Sequence, residues 1–435
     1  MTSNTRVVVI GAGLAGVRLA RRLGELGTPV TLIGEEEHRP YNRVLLADVL
    51  AGRYSPDVIT LPAPAELTRA RVTGIDREAR TVECADGSKI AYDTLVLATG
   101  SNPVLPPLRG LFAGAYVSTA HRASGPDRLS GRGSGGCPPG GRSTPDHVLP
   151  EGVHAFRTMD DCLGLSKQVR PGVKAVVIGG GLLGVSAARA LAQRGAQVVL
   201  AQQGERVMER QLDPSASKLV QRHLRDLGVE IHTECRVRDV RVVGGAVRSV
   251  EMADGYALDA DLVVLACGVH PRAGLAQSAG LEVRKGIVVD DELRTSDPHI
   301  HAIGDCVQHD GVLYGLATPA LEQADVLAEL LAGRANARYT GTRSLTRLTL
   351  AGANSPFDLA AFGETEPRPG DDVVQLTDAT RGTYRKVVVR DDRLVGGVLV
   401  GELGTVGALA RAWEGAEPLP DDGPLLHLLT NDGGS

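Results

Sequence analysis

Two stretches of the chain carry the same order of apolar and polar positions. In each, a β-branched run predicts a buried strand, a glycine-rich turn follows at once, and apolar residues then recur at helical spacing until a glycine stops the helix. The first copy has its strand at 6–10 and its closing glycine at Gly27, and the second has them at 174–178 and Gly195. A further strand ends each copy, at 30–33 and at 197–201. The pattern therefore predicts two βαβ units.

The rest of the chain divides by the same kind of pattern. Residues 320–331 have the apolar spacing of a helix. From about Ser344 the sequence favours strands with one late helix at 406–413, which predicts a separate C-terminal α+β domain. Residues 122–153 are dense in Gly, Pro and Ser, so we expect a loop or a disordered insertion there.

Composition argues against several classes of function. The 435 residues carry a formal net charge of −5 and only 3% aromatic residues, so neither a basic surface nor a set of stacking rings for nucleic acid is expected. No apolar run approaches the roughly 18 residues of a membrane span, and the N-terminus has no secretory signal pattern. The six cysteines and eleven histidines show no metal-ligand spacing. We therefore expect a cytoplasmic protein with no membrane span and no metal site.

The glycine-rich turns carry the first candidate chemistry. Each has the spacing GxGxxG between a strand and a helix, which is the context of a dinucleotide-binding turn. The first glycine makes the turn, the second lets a pyrophosphate approach the backbone, and the third lets helix and strand pack closely. The start of the helix then offers unpaired N–H groups and the positive end of its dipole to the phosphates. The candidate residues are Gly11, Gly13, Leu14, Ala15 and Gly16 in the first unit, and Gly179, Gly181, Leu182, Leu183 and Gly184 in the second.

The residues after the second strand of each unit differ between the two copies. In the first unit, Glu35 or Glu36 lies near the expected distance for a carboxylate that binds the ribose hydroxyls. In the second unit the matching Gln202 is neutral, and Arg206 follows shortly after it. A carboxylate there would repel a 2′-phosphate, whereas Gln202 would not and Arg206 could attract one. Since Gln202 can also bond an unmodified ribose, the sequence leaves open whether this unit takes NADH or NADPH.

Two further strands, predicted at 94–100 and 300–306, end in small residues that a ligand could approach. The residues at these ends are Ala98, Thr99, Gly100, Gly304 and Asp305. An aspartate such as Asp305 can accept a hydrogen bond from a ribityl hydroxyl. The next helix, at 319–331, follows the candidate residue Thr318, and its N-terminus could face the O2 edge of a flavin ring and stabilise charge there.

These elements in this order resemble the two-dinucleotide-fold flavoprotein reductases of the pyridine nucleotide–disulfide oxidoreductase superfamily, over roughly residues 5–335. The resemblance implies FAD on the first unit, NAD(P)H as co-substrate on the second, and hydride transfer from nicotinamide to flavin. The disulfide reductases of this superfamily need a redox cysteine pair shortly after the first unit, but the first cysteine of this chain is Cys84. The sequence is therefore most similar to the ferredoxin and rubredoxin reductase branch.

The expected fold class is α/β, with two Rossmann-like dinucleotide-binding domains and a small C-terminal α+β domain. The FAD-binding domain is expected to be discontinuous, at 1–112 and 282–335, and the NAD(P)-binding domain to occupy 154–281. The insertion then takes 113–153, and an interface-type C-terminal domain takes 340–435.

A finer resemblance lies at residues 39–46 (RPYNRVLL), which are similar to the FAD-binding half of the large subunit of assimilatory NAD(P)H nitrite reductase. The segments similar to the small domain that follows in that family are 347–352, 384–389 and 394–401. By this resemblance Arg43 lies along the FAD pyrophosphate or ribityl chain, and Arg157 contacts the flavin half. Val72 meets the adenine through its backbone, and Gly268 lines the nicotinamide path.

Two departures from that family bear on function. The family's subunit continues into cysteine-rich iron–sulfur and sirohaem regions, whereas this sequence ends at Ser435 without such cysteines, so we do not expect it to reduce nitrite alone. Ser186 stands where the family has a glutamate that helps to hold the nicotinamide. Together with Gln202, it predicts weakened or altered nicotinamide binding.

Three functions remain open at this point. The leading one is an FAD-dependent NAD(P)H oxidoreductase that passes electrons to a separate redox protein in the assimilation of nitrite or nitrate. This acceptor would be a ferredoxin-like protein, a sirohaem protein, or a component of a nitrate or nitrite reductase. The second is an NAD(P)H oxidase or a small-molecule tailoring flavoenzyme. The third is a flavoprotein scaffold or redox sensor with weak nicotinamide binding. The sequence is also compatible with a homodimer.

Overall fold

The computed structural model describes residues 6–62, 67–112, 149–334, 336–343, 345–350, 357–378, 380–401, 403–415 and Leu429. Most of the insertion expected at 113–153 lies outside the described residues. The α-helices within them are α1 (Leu14–Glu25), α2 (Leu46–Leu50), α3 (Met159–Gln168), α4 (Leu182–Gln193), α5 (Pro214–Asp226), α6 (Gly274–Ser278), α7 (Ala317–Leu331) and α8 (Val406–Gly415).

The strands, in chain order, are β1 (Val7–Ile10), β2 (Val30–Gly34), β3 (Leu67–Arg69), β4 (Val72–Asp76), β5 (Thr81–Cys84), β6 (Lys89–Ala91), β7 (Thr94–Leu97), β8 (Ser101–Pro103), β9 (Val153–Ala155), β10 (Lys174–Ile178), β11 (Gln197–Ala201), β12 (Val229–His232), β13 (Val237–Val243), β14 (Ala246–Met252), β15 (Ala257–Asp259), β16 (Leu262–Leu265), β17 (Val269–Pro271), β18 (Ile287–Val289), β19 (Ile300–Ala302), β20 (Val307–His309), β21 (Thr346–Thr349), β22 (Asp358–Gly363), β23 (Asp372–Asp378), β24 (Thr383–Arg390) and β25 (Arg393–Gly401).

Five parallel strands form the sheet of the first unit, in the order β19-β7-β1-β2-β3. All four residues of the central strand β1 are buried, as expected for a parallel strand covered on both faces. Helices α1 and α7 pack against each other, and Arg18 of α1 pairs with Asp325 of α7 at 2.7 Å. The edge strand β19 therefore reaches this sheet from a part of the chain beyond the second unit.

The second unit repeats this arrangement with strand order β12-β11-β10-β16-β9, again all parallel. Helix α4 packs on β10 and β11, and α5 packs on β12. The strands β13, β14 and β15 form an antiparallel sheet beside it. The first unit has a similar antiparallel addition in β4, β5 and β6.

The C-terminal domain is a five-stranded antiparallel sheet in the order β21-β22-β25-β24-β23, with α8 packed on β25. The indole of Trp413 in α8 lies 5.2 Å from the ring of Phe362, between ring centroids. Two parallel sheets with crossover helices and this small α+β domain confirm the predicted fold class.

A few element limits differ from those predicted. Helix α7 starts at Ala317, two to three residues before the predicted starts at 319 and 320, and it includes Pro319 in its first turn, where a missing N–H costs no helical hydrogen bond. The strand predicted at 300–306 ends at Ala302, and a 3₁₀ turn at Gly304–Cys306 follows it. By contrast, the segment 94–100 is a strand as far as Leu97 and then a loop of small residues, as predicted.

A buried charged cluster fastens the C-terminal domain to the second unit. Asp213, the N-cap of α5, accepts the Lys386 ammonium at 2.9 Å and the Tyr384 hydroxyl at 2.6 Å. The side chains of Asp213 and Lys386 are only 4% and 9% exposed. The backbone N–H of Ala216 donates to the other carboxylate oxygen at 2.9 Å. Burial alone would raise the pKa of Asp213, but its hydrogen bonds from Ala216, Tyr384 and Lys386 outweigh burial and lower that pKa.

Candidate functional site

One large cleft runs between the two parallel sheets, at the carboxyl ends of their central strands. Its volume is about 2240 Å³, well above the roughly 300–1,000 Å³ of a pocket for one small ligand. Both glycine-rich turns line it, as do residues of β21 in the C-terminal domain. Ligands of open α/β sheets bind at this edge of the sheet. The cleft can therefore hold two extended ligands at once.

The turn of the first unit has no room for side chains at two of its glycines. A Cβ on Gly11, which has φ +114°, would lie 2.1 Å from the carbonyl oxygen of Ala98. A Cβ on Gly16 would lie 1.9 Å from the carbonyl oxygen of Gly11. A Cβ on Gly13, by contrast, would meet no described atom within 4 Å. The space beside Gly13 thus opens into the cleft, where a pyrophosphate can reach the backbone.

The second turn has the same geometry. A Cβ on Gly179 would lie 2.4 Å from the carbonyl oxygen of Ala266, and one on Gly184 would lie 1.8 Å from that of Gly179. The position beside Gly181 is again open within 4 Å. The structure thus brings the two predicted turns to one cleft in equivalent conformations.

Both helices that start at these turns lack a side-chain cap. α1 begins at Leu14 after Gly13, and α4 begins at Leu182 after Gly181, and neither N-cap forms a side-chain hydrogen bond. The first N–H groups of a helix have no partner within the helix, so here they remain available to an anion. The predicted residues Ala15 and Leu183 line the cleft within these first turns. The residues present therefore fit a dinucleotide pyrophosphate at each turn.

The two acidic candidates that follow β2 have separate partners. Glu35 forms a bidentate ion pair with Arg272, in which Nη2 donates to Oε2 at 2.8 Å. This hydrogen bond lowers the pKa of Glu35, so the carboxylate is ionised and charge-compensated. Glu36 accepts the hydroxyl of Tyr41 at 2.7 Å and the guanidinium of Arg43 at 2.6 Å. Both glutamates line the cleft.

A chain of polar contacts joins the predicted arginines to the predicted aspartate. Arg43 donates to the backbone carbonyl of Arg157 at 2.6 Å. Arg157 donates to Asp305 at 2.8 Å and to the hydroxyl of Ser101 at 2.6 Å. Burial lowers the pKa of Arg157, and its Nε is buried without a partner among the described residues. Hydrogen bonds therefore hold the guanidinium groups of Arg43 and Arg157 in place at this end of the cleft, next to the first turn.

Other predicted residues lie around the same cleft. Those that line it are Val72, Ala98, Thr99, Gly100, Gly268, Gly304 and Asp305. The hydroxyl of Thr99 donates to the backbone carbonyl of Arg272 at 2.7 Å, which ties this loop to the partner of Glu35. Thr318 is exposed and does not line the cleft, whereas Leu316 and Ala317 at the start of α7 do. The N-terminus of α7 thus faces the site through its backbone rather than through Thr318.

In the second unit, each of the polar residues predicted to affect nucleotide binding has its own hydrogen-bond or ion-pair partner, and only some of them line the cleft. Gln202 lines the cleft, and its Oε1 accepts the backbone N–H of Gly180 at 2.8 Å. Arg206 lies outside the cleft lining and pairs with Glu366 of the C-terminal domain at 2.8 Å. Ser186 is buried, and its hydroxyl donates to the carbonyl of Leu182 in its own helix at 2.8 Å. Its only hydrogen bond among the described residues is therefore within α4.

Sequence reasoning missed several residues of the site. Arg272 pairs with Glu35 across 237 positions of sequence, and Ser101 joins the Arg157 contact with Asp305. Arg236 lines the cleft beside the second unit, in a segment that had no recognisable motif. The only sequence signal for Ser101 was its position next to Gly100. The pair between Arg272 and Glu35 had no local signal.

In the part of the chain that the structure describes, no three side chains of the His, Cys, Asp and Glu types group as metal ligands. No helix in the same part of the chain combines the length and apolarity needed to cross a bilayer. Two cysteines, Cys235 and Cys267, line the cleft, and burial raises the pKa of both thiols.

The fold and the paired turns define an oxidoreductase with two nucleotide-binding units. Residues 5–324 match the family model described as pyridine nucleotide-disulphide oxidoreductase. The chain belongs to this family, which confirms the predicted class of enzyme and the predicted cofactors, FAD with NAD(P)H. Residues 349–414 match the rubredoxin NAD+ reductase C-terminal domain.

Three known proteins show how far the similarity extends. The assimilatory nitrate reductase electron transfer subunit of Bacillus subtilis (strain 168) is 32% identical over 91% of this chain and 48% of its own length. The nitrite reductase [NAD(P)H] of the same organism is 35% identical over 91% of this chain and 46% of its own length. The chain thus spans about half the length of these relatives. The reductase in the crystal structure of the covalent putidaredoxin reductase–putidaredoxin complex is 25% identical, with a TM-score of 0.80 and 98% of each chain covered.

Proposed function

We propose that the protein takes electrons from NAD(P)H through FAD and passes them to a separate redox protein. The observation that carries this proposal is the pair of equivalent, uncapped glycine turns that open onto one cleft. Each can bind one pyrophosphate, so two dinucleotides can meet along the cleft. FAD, when bound at the first unit, would supply a ring that accepts a hydride and can release electrons singly.

The residues of the first unit would hold FAD by complementary chemistry. Gly13 and the start of α1 would bind the pyrophosphate through backbone N–H groups. Glu35 or Glu36 would accept the ribose hydroxyls, and Asp305 would accept a ribityl hydroxyl. Arg43 and its hydrogen-bonded partner Arg157 would place fixed positive charge along the same ligand, which stabilises negative charge that develops there. Val72 would contact the adenine through its backbone.

The cysteines that the structure describes do not support a disulfide relay. The first cysteine in the sequence is Cys84, which lies beyond the first βαβ unit. Cys235 and Cys267 line the cleft, but their raised pKa values keep them as thiols, whereas the thiolate is the nucleophile in disulfide exchange. Electrons would therefore leave the flavin for an acceptor outside this chain.

The acceptor class is part of the proposal. Similarity to a nitrate reductase electron transfer subunit and to a nitrite reductase favours a component of nitrite or nitrate assimilation, with a ferredoxin-like protein as the other candidate. The homodimer and the cytoplasmic location predicted from the sequence stay predictions. Light scattering of the purified protein would test the first.

An anaerobic titration tests the function directly. The protein reconstituted with FAD should lose its oxidised flavin absorption on addition of NADH or NADPH, and regain it when ferricyanide or cytochrome c is added. Oxygen consumption without these acceptors should be slow, because the proposal assigns the electrons to a protein partner. Fast oxygen consumption would favour the oxidase alternative. Absence of flavin reduction by both nicotinamides would contradict the proposal and favour a scaffold or sensor.

A further inference from the structure

The segment after β11 presents hydrogen-bond donors where many dinucleotide units present a carboxylate. Gln202 follows this strand directly, and its Oε1 accepts the N–H of Gly180 at 2.8 Å. The same oxygen lies 3.1 Å from the position that a Cβ on Gly180 would take, so the amide is folded over the turn. With its oxygen engaged, the amide has its Nε2 group left, and this group can only donate. A phosphate oxygen can accept a hydrogen bond from this Nε2 group.

The backbone brings a second donor to the same place. Glu234 donates its N–H to the carbonyl of Gly204 at 2.9 Å, and Cys235 donates its N–H to the carbonyl of Gln202 at 3.0 Å. These bonds fix the loop after β12 beside the end of β11. Arg236 is the next residue, and its exposed side chain lines the cleft. In the described part of the chain, its guanidinium has no ion-pair partner.

The charges at this end of the cleft favour an anion. Arg210, Arg236 and Arg238 line the cleft beside the second unit together with Glu209, and Arg238 is paired with Glu251. An oxygen of Glu209 lies 2.3 Å from the position that a Cβ on Gly204 would take, which places the carboxylate against the backbone there. Arg206 adds no charge to this surface, because it is paired with the C-terminal domain. With Arg238 offset by Glu251, the groups that remain here are Arg210, Arg236 and Glu209, and together they carry one excess positive charge.

We propose that Gln202 and Arg236 form a binding site for the 2′-phosphate of NADPH, and that the protein prefers NADPH to NADH. The proposal rests on the assignment of the second unit to a nicotinamide nucleotide. A 2′-phosphate carries oxygens that accept from both groups, and the planar guanidinium matches it with two parallel N–H bonds. Arg236 thus has the role of attracting the 2′-phosphate, for which the sequence alone had suggested Arg206.

Calorimetric binding of two small probes tests the site without electron transfer. The probes are 2′,5′-ADP and 5′-AMP, which differ by the 2′-phosphate. The protein should bind 2′,5′-ADP at least about tenfold more tightly, and Arg236→Ala should weaken that binding by about ten- to a hundredfold. The same variant should change 5′-AMP binding by less than about twofold. Arg225→Ala, which removes an exposed arginine from α5 away from the cleft, is the matched control and should leave both affinities unchanged.

A second variant tests the role of the amide. Gln202→Glu keeps an oxygen that can accept the N–H of Gly180 and adds a negative charge. It should reverse the preference between the two probes, and also the ratio of kcat/KM for NADPH to that for NADH. Melting curves that match those of the parent protein would show that both variants fold.

Distinct outcomes separate this inference from the proposed function. Equal binding of the two probes by the parent protein would overturn the inference, as would an unchanged preference in Arg236→Ala or Gln202→Glu. If the predicted probe binding is found but neither nicotinamide reduces the flavin, the proposed function fails and the 2′-phosphate site stands. If flavin is reduced equally well by both nicotinamides and the probes bind alike, the function stands and the site fails.

Discussion

Replacement of Lys386 by methionine should loosen the C-terminal domain from the second unit. The ammonium lies 2.9 Å from Asp213 and also donates to the carbonyl of Thr365 at 2.9 Å, in a site where both charged side chains are buried. Removal of one partner of a buried ion pair costs about 3–5 kcal/mol, because the other charge stays behind without compensation. Asp213 would keep its bonds from Tyr384 and Ala216, so we expect the lower end, about 3 kcal/mol.

The single tryptophan of the sequence makes this loss measurable. Trp413 lies in α8 of the C-terminal domain and packs on Phe362, so its fluorescence reports on that domain. With a slope of about 1–3 kcal/mol per M of urea, a loss of about 3 kcal/mol lowers the urea midpoint by about 1–3 M. Lys218→Met, an exposed position on the same helix as the cap Asp213, is the matched control and should change stability by less than about 0.5 kcal/mol.

A double variant separates the ion pair from packing. Asn at position 213 can still accept the N–H of Ala216, so Asp213→Asn combined with Lys386→Met removes both charges and leaves that bond. Its loss of stability should fall short of the sum of the single losses by about 2–3 kcal/mol. Additive losses, or a loss below about 1 kcal/mol for Lys386→Met, would refute the assignment of this pair as a clamp between the domains.

Three further predictions concern the glycine turns and pH. Gly181→Ala should weaken NAD(P)H binding by tenfold or more in fluorescence titrations, because its methyl group would enter the space of the pyrophosphate. The control Gly24→Ala, on the open face of α1, should leave NAD(P)H binding unchanged. Gly16→Ala should cost about 3 kcal/mol or more and abolish FAD retention after gel filtration, since its Cβ would lie 1.9 Å from a backbone oxygen. The folded state lowers the pKa of Asp213 from 3.8, so its contribution to the free energy of unfolding is full above about pH 3.8 and is lost as the pH falls through the pKa of the folded state. Below about pH 3.8, the urea midpoint of the parent protein should therefore fall more steeply with pH than that of Asp213→Asn.

The sequence predicted those parts of the fold that depend on local patterns. Strands β10 and β11 match their predicted limits residue for residue, because each is an apolar run bounded by a turn. The two glycine turns were predictable for the same reason. A GxGxxG spacing reflects steric demands among neighbours, and the structure reproduces these demands in both copies.

Residues whose partners lie far away in the chain could not be found in this way. Glu35 was a sound candidate, but its partner Arg272 comes from the other side of the second unit. Arg206 follows Gln202 closely in sequence, yet it turns to Glu366 of the C-terminal domain. Arg236 reaches the cleft because backbone bonds fix its loop there. Such placements depend on tertiary contacts that no local pattern records.

The late arrival of strand β19 in the first sheet has a consequence for synthesis of the protein on the ribosome. The second unit is continuous from β9 to β16, so it can fold as soon as this stretch has emerged. The first sheet has four of its strands early but gains β19, and the helix α7 that covers α1, only after the whole second unit has been made. We therefore expect nascent chains to hold a protease-resistant second unit while the first, although older, can still be cleaved.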